Sequence, residues 1–226
     1  MSIGAIVIGR NEGARLIACL EALAGFAPLI YVDSGSRDGS VDAAQARGAR
    51  VVELDMSLPF TAARARNAGL AVLPNDLELV QFLDGDCVVQ EGWLDKAQAF
   101  LAQHPDVAVV CGRRREMYPD ESVYNAMIDD EWDTPVGEAL ACGGDALVRV
   151  DALRAVEGYR EDLIAGEEPE LCLRLRQAGW RIWRLDAEMT AHDAQITRFG
   201  QWWNVLLYTS DAGVEEKSID LDGPRT

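Results

Sequence analysis

The sequence predicts an α/β fold, with a mostly parallel central sheet flanked by helices in a single domain. Three observations predict it. Apolar runs of strand length alternate with helix-like stretches through the first half of the chain, which implies strands joined by crossover helices. The run LELVQFLD is too short for a comfortable helix and is closed by a glycine, so it reads as a buried strand. Carboxylates also fall where such runs stop: Asp33 after LIYV, and Asp84 and Asp86 after LVQFL. Ligands of parallel sheets bind past the carboxyl ends of the strands.

The elements follow in order. IGAIVIG reads as the first strand and NEGARLIACLEALAG as a helix closed by Gly25. LIYVD is the second strand, followed by the turn SGSRDGS. Asp38 or Ser40 is expected to cap the helix through VDAAQAR, which Gly48 ends. ARVVEL is a third strand, and TAARARNAGLAVL a helix that stops before Pro74. LELVQFLD, GWLDKAQAFLAQ and VAVVCG follow as strand, helix and strand. The charged and aromatic stretch 113–142 is expected to form a long ordered excursion over the sheet. CGGDALVRVDALRAV then reads as a glycine turn, a short strand and a helix. EEPELCLRLRQAG is a helix with Glu168 as its expected N-cap, Pro169 at its first position and Gly179 at its end. WRIWRLD is a strand leading into MTAHDAQ. The domain is expected to span 1–208, with 209–226 an acidic, poorly ordered tail.

Composition narrows the function classes. The 226 residues carry a net charge of −17, which argues against nucleic acid or an anionic membrane as the main partner. The five cysteines form no CxxC pair and sit in apolar surroundings. Buried reduced thiols are expected, not a disulfide framework or a zinc site. With neither a signal peptide nor an apolar run near the roughly 20 residues of a membrane span, a soluble, cytoplasmic protein is expected. The segment FGQWWNVLLY permits at most a peripheral membrane contact.

The polar residues at the strand ends suggest chemistry. In an extended chain, residues two apart point the same way, so Asp84 and Asp86 are expected side by side. Gly85 between them lets a ligand approach the backbone. Two such anions repel each other, and a hard divalent cation, Mg²⁺ or Mn²⁺, would relieve the repulsion while bridging to phosphate. The same residues also read as a polar turn.

Other residues carry similar pairs of readings. Asp33 can accept hydrogen bonds from a base or ribose, and also reads as an Asx-turn aspartate. Arg10, Asn11 and Glu12 follow the first strand and face the same crevice, with helix capping by Asn11 as the alternative. Of Arg64 and Arg66, two apart on a helix, one is expected to reach the site, and Arg66 is preferred. Gly144 and Asp145 either approach a ligand or form a plain turn. Glu167 and Glu168 open a helix, where acidic residues also offset the dipole. His192 follows a strand, placed as a ligand or as a structural histidine.

Together, IVIGRNEGARL, YVDSGSRDGSVD, ARNAG, FLDGD, CGGDAL, GEEPELCLRLRQAGW and MTAHD resemble the inverting, nucleotide-sugar-dependent glycosyltransferases of family 2. They occur in that family's order and cover most of residues 3 to 193. The resemblance implies a GT-A fold and a UDP- or GDP-sugar donor. Its hydroxyl acceptor, a glycan, lipid-linked or small molecule, stays open, as does a homodimer. It implies that Asp33 holds the base, with Arg10, Asn11 and Glu12 lining that pocket. Arg66, Asp84 and Gly85 would bind the donor. Asp84-Gly85-Asp86 matches the DXD motif, with Asp86 on the metal and Asp84 on ribose or metal. His192 matches a late metal-binding histidine, and Gly144 and Asp145 would face donor sugar or acceptor. GEEPEL matches the motif that supplies the catalytic base, Glu168 ahead of Glu167. Two features depart from the family. Glu-Glu stands where Glu-Asp is usual, and the chain turns acidic after QWW, where relatives often continue with basic amphipathic helices. Part of the acceptor site or an oligomer contact is therefore expected to be missing. The alternatives are a non-catalytic nucleotide-sugar-binding protein and a nucleotidyltransferase, which usually carries a glycine-rich basic phosphate loop that GRNEGAR lacks.

Overall fold

The computed structural model describes residues 1–203, so the expected acidic tail lies outside the described residues. Among the described residues, nine strands form one sheet: β1 Ile3–Gly9, β2 Leu29–Asp33, β3 Arg50–Glu53, β4 Leu79–Asp84, β5 Cys87–Val89, β6 Val107–Glu116, β7 Gly137–Ala139, β8 Ala146–Arg149 and β9 Arg181–His192. Their order is β3-β2-β1-β4-β8-β6-β9-β5, with β7 also on β9. The first four strands are parallel. β8 runs antiparallel between β4 and β6, and β6 and β9 are again parallel.

Between the strands lie the helices α1 Ala14–Ala22, α2 Ser40–Ala46, α3 Ala62–Ala71, α4 Trp93–Gln103, α5 Val123–Glu131, α6 Val150–Ala155 and α7 Glu167–Gln177. Alternation along β1 divides the core between the two faces. Ala5 and Val7 pack with Leu16, Cys19 and Leu20 of α1. Ile6 and Ile8 pack with Ala63 and Ala65 of α3 in the larger core, which extends to Trp93, Leu153 and Leu175. Strands covered on both faces lack the polar alternation of a half-exposed sheet, and β2 is buried along its whole length.

Several local expectations are corrected. The caps of α2 and α7 are Gly39 and Gly166, both at positive φ (84° and 79°). Asp38 accepts hydrogen bonds from the Ser40 amide and hydroxyl without being the cap itself. Glu168 is the second residue of α7 and Pro169 the third, each two positions deeper than expected. Asn11 does not cap α1, whose N-cap is Gly13. Strand β6 continues to Glu116, so the expected excursion begins later and contains a 3₁₀ turn (Pro119–Glu121), α5 and β7. RIWRLD and MTAH belong to one 12-residue strand, β9, which begins after Trp180. All five cysteines are free and buried.

Candidate functional site

Strand register gathers the site. Gly9 pairs with Asp33, and Ile8 with Asp84, so the ends of β1, β2 and β4 lie together. The loops after β1 and β2 are tied to each other. The Asn11 amide donates to Ser36 Oγ at 2.9 Å, and the Arg37 amide donates to Asn11 Oδ1 at 2.8 Å. Asn11 adopts φ 58°, a region that asparagine tolerates better than most residues. Arg10 is exposed beside it. Asp33 is buried. Its carboxylate accepts from the Tyr31 hydroxyl at 3.0 Å and from the Gly35 and Ser36 amides at 2.9 Å, the Asx-turn arrangement.

The two aspartates after LVQFL part company. The strand stops at Asp84, and the chain turns through Gly85 and Asp86, so the expected shared face of an extended strand is not formed. Gly85 donates from its amide to Ile8 O at 2.8 Å, and a Cβ there would press on Glu12 and on that carbonyl.

Asp84 points to arginines. Its Oδ1 is 3.2 Å from Arg66 Nη2, and its Oδ2 is 3.6 Å from Arg114 Nη1. Arg66, on α3, is buried, and its Nη1 also lies 2.8 Å from Glu167 Oε1 and 2.9 Å from Glu168 Oε1. One guanidinium thus connects α3, the end of β4 and the start of α7. Burial disfavours its charge, but Glu168 and Asp84 outweigh that and raise its pKa further. Gly144 makes room for it, because a Cβ there would overlap the Arg66 guanidinium and crowd Glu168. Arg64 turns outward and donates to the carbonyls of Asp55, Leu58 and Pro59. Asp145 is buried; its Oδ1 accepts from the Asp84 amide at 3.1 Å and its Oδ2 from Thr190 Oγ1 at 2.8 Å.

Asp86 faces β9. Its Oδ2 is 3.2 Å from His192 Nε2, and the other ring nitrogen, Nδ1, is 3.5 Å from Glu116 Oε2. Burial pushes the Asp86 carboxyl up, yet the His192 hydrogen bond and charge, with Arg114, hold it at about 2. Burial and Arg114 lower His192, but Asp86 and Glu116 prevail and its pKa is raised. This donor set fits a divalent cation. An ionised carboxylate and an imidazole converge, and the imidazole carries a carboxylate behind it, as metal-bound histidines do. The same carboxylate–imidazole pair suits Mn²⁺ better than Mg²⁺, which seldom takes nitrogen ligands.

Residues that sequence reasoning passed over complete the wall. Arg114 lies 3.5 Å from Asp145 as well as near Asp84, and its guanidinium sits 4.6 Å from the Trp132 ring centroid. Trp132 also meets His192 edge-on at 5.0 Å. The two-residue period of β6 could have found Arg114 and Glu116. They share the site face, while Arg113 and Arg115 pair with Asp129 on the other.

The family model for glycosyl transferase family 2 matches residues 5–154, well over half of the chain. The chain belongs to this family. The pre-mycofactocin glycosyltransferase of Mycobacterium tuberculosis is 29% identical over 157 residues, covering 62% of this chain and 31% of that protein. Glycosyltransferase AglE of Haloferax volcanii is 23% identical over 194 residues, 80% of this chain and 63% of the relative. The chain therefore spans about a third of the mycobacterial relative. Among solved structures, mannosyltransferase PcManGT from Pyrobaculum calidifontis, in complex with GDP-Man and Mn²⁺, superposes with a TM-score of 0.74 at 18% identity. That match covers 100% of this chain and 66% of the other. Glucosyl-3-phosphoglycerate synthase from Mycobacterium tuberculosis, in complex with Mn²⁺ and UDP-glucose, gives 0.63 at 19% identity, covering 93% and 78%. The family-2 fold here is of the GT-A type. Among the described residues, no helix is long and apolar enough to cross a membrane.

Proposed function

We propose that this chain transfers a sugar from a nucleoside-diphosphate donor to an acceptor hydroxyl, with inversion and with a divalent cation at Asp86 and His192. One observation carries the reading. Arg66 joins Glu168 of α7 to Asp84 at the end of β4, so a base and the donor-side carboxylates share one edge of the sheet. Asp33, Arg10, Asn11 and Glu12 line the base pocket, and Gly85 admits the diphosphate. Asp84 receives the ribose side of the donor, and Gly144 and Asp145 receive its sugar. When bound, the cation offsets the charge that develops on the departing diphosphate.

Glu168 is the base. Its side chain is 20% exposed against 7% for Glu167, so it is the one that opens to an acceptor. Burial pushes its carboxyl up; Arg66 opposes that and the Glu167 charge adds to it, leaving a net rise. A more basic carboxylate accepts the acceptor's proton more readily. Glu167 anchors Arg66. The attacking oxygen approaches the anomeric carbon opposite the leaving diphosphate, and a single displacement inverts the configuration.

GDP-mannose and UDP-glucose, the donors bound by the two structural relatives, head the panel to test. The experiment is product formation from that panel with Mn²⁺, using the wild type and Glu168→Gln. The variant is expected to bind donor and form no product. Normal transfer by Glu168→Gln removes the base assignment, and donor binding without transfer by the wild type makes the chain a binding protein.

A further inference from the structure

Beside the two ligands of the proposed donor cation, Asp86 and His192, stands a third metal-binding group that this cation does not need. Cys87 is fully buried, and its Sγ donates to Asp86 Oδ1 at 3.4 Å. Ligand atoms of Asp86, Cys87 and His192 all lie within 4.8 Å of one another. Cys87 and His192 are direct partners across the antiparallel pair β5–β9, so the sheet register itself sets thiol beside imidazole. His192 Nδ1 is buried and has no hydrogen-bond partner, with Glu116 3.5 Å behind it.

These distances suit a small tetrahedral ion. Metal–ligand bonds of ~2.0–2.3 Å place tetrahedral ligands about 3.3–3.7 Å apart. The S···O separation is 3.4 Å to Asp86 Oδ1 and the N···O separation 3.2 Å to its Oδ2, and one ligand atom from each residue lies within 4.8 Å of the others, so the three donors converge on one small volume. Mn²⁺ and Mg²⁺ prefer oxygen and have little use for a thiolate, whereas zinc favours mixed sulfur, nitrogen and carboxylate sets. At a given set of such ligands zinc also binds more tightly than manganese.

We propose that Asp86, Cys87 and His192 form a binding site for a thiophilic divalent cation, zinc foremost, that competes with the donor cation and silences the enzyme. The inference rests on the donor-site reading above only for its inhibitory consequence. On binding, the Cys87 S–H bond breaks, the proton leaves to solvent, and a sulfur–metal bond forms. Coordination deprotonates a thiol outright. Three protein ligands leave one tetrahedral position. That is too few for an ion that must also hold the two phosphate oxygens and the waters an octahedral cation accommodates.

The test loads the full chain with Co²⁺ as a coloured zinc substitute and with Zn²⁺ itself. Wild type is expected to show a sulfur-to-cobalt charge-transfer absorption in the near ultraviolet that Cys87→Ser loses. X-ray absorption of the zinc-loaded wild type, which needs no variant to fold, is expected to place one sulfur at about 2.3 Å. Zn²⁺ is expected to release bound Mn²⁺, read by its electron paramagnetic resonance signal. A first shell without sulfur, or a charge-transfer band unchanged in Cys87→Ser, overturns the site. Mn²⁺ that stays bound in excess Zn²⁺ overturns the competition. A sulfur-bound metal in a chain that transfers no sugar from any donor leaves the site standing and removes the proposed function instead.

Discussion

Arg66 Nη1 lies 2.9 Å from Glu168 Oε1, and the same guanidinium group serves Glu167 and Asp84. A buried cation shared by three carboxylates is costly to remove: Asp84 keeps Arg114 and Glu168 keeps some solvent, but Glu167, 7% exposed, loses its counter-charge where water barely reaches. Arg66→Ala is expected to destabilise the fold by about 3–5 kcal/mol, read by urea denaturation, and to abolish transfer. A stability loss below about 1 kcal/mol would mean that the cluster is wet and the arginine dispensable.

Gly144→Ala tests the same cluster from the backbone side. The added methyl would meet the Arg66 guanidinium and press on Glu168, whereas at Gly143 it would meet nothing within 4 Å. Gly144→Ala is expected to cost about 1–3 kcal/mol and to depress kcat, with Gly143→Ala near wild type in both. Equal behaviour of the two variants would remove the close-approach argument.

How far the sequence reveals this site depends on how local each signal is. β1, β2 and β4 are legible because each is an apolar run ended by glycine or aspartate. β5 is three residues long and exists through its pairing with Thr190–His192, about a hundred positions away, so no local pattern announces it. The same is true of the Cys87–His192 juxtaposition. Asp84 and Asp86 were readable as a pair at a strand end. Their divergence was not, because it follows from a turn at Gly85 and from the arginine and histidine that claim each carboxylate. Arg114 was hidden within a run of three arginines that reads as one charged patch until the strand period separates their faces.

The pH profile of transfer should carry the mark of Glu168. Burial raises its carboxyl above the ordinary value of 4.5, with Arg66 opposing and Glu167 assisting. As the base, it must be ionised, so kcat/KM is expected to rise with pH on a limb displaced above the usual carboxylate range. The stability sign is opposite. A folded state that holds this proton more tightly than the unfolded chain gains most below pH 4.5, and loses that contribution as pH rises through the folded value. Initial-rate profiles and denaturation midpoints across the same buffers check both. A rate limb that sits at the ordinary glutamate value removes the raised base.

Donor binding should be visible in thermal stability. A ligand at 100 times its Kd stabilises the folded state by about 2.7 kcal/mol. The cognate nucleotide sugar is expected to raise the melting temperature with Mn²⁺ and to raise it far less once a chelator has removed the metal. A shift of equal size in both conditions would separate donor binding from the cation at Asp86 and His192.

Glu116 offers the sharpest test of the cation itself, because it stands behind His192 without reaching the ligand position. Its Oε2 is 3.5 Å from His192 Nδ1, and its two oxygens also accept from the Tyr118 and Ala194 amides. A carboxylate behind a metal-bound imidazole orients the ring and makes it more basic, and losing it weakens metal binding ~10–100-fold. Glu116→Gln keeps the size and one acceptor oxygen, so one of the two amide contacts can survive while the charge is lost. Mn²⁺ titration followed by calorimetry is expected to show that weakening. His192→Ala, which removes a ligand outright, is expected to weaken binding further still. If Glu116→Gln binds Mn²⁺ like the wild type while His192→Ala does not, the histidine is a ligand that needs no partner. If both bind normally, His192 is a structural residue and the cation depends on the carboxylates alone.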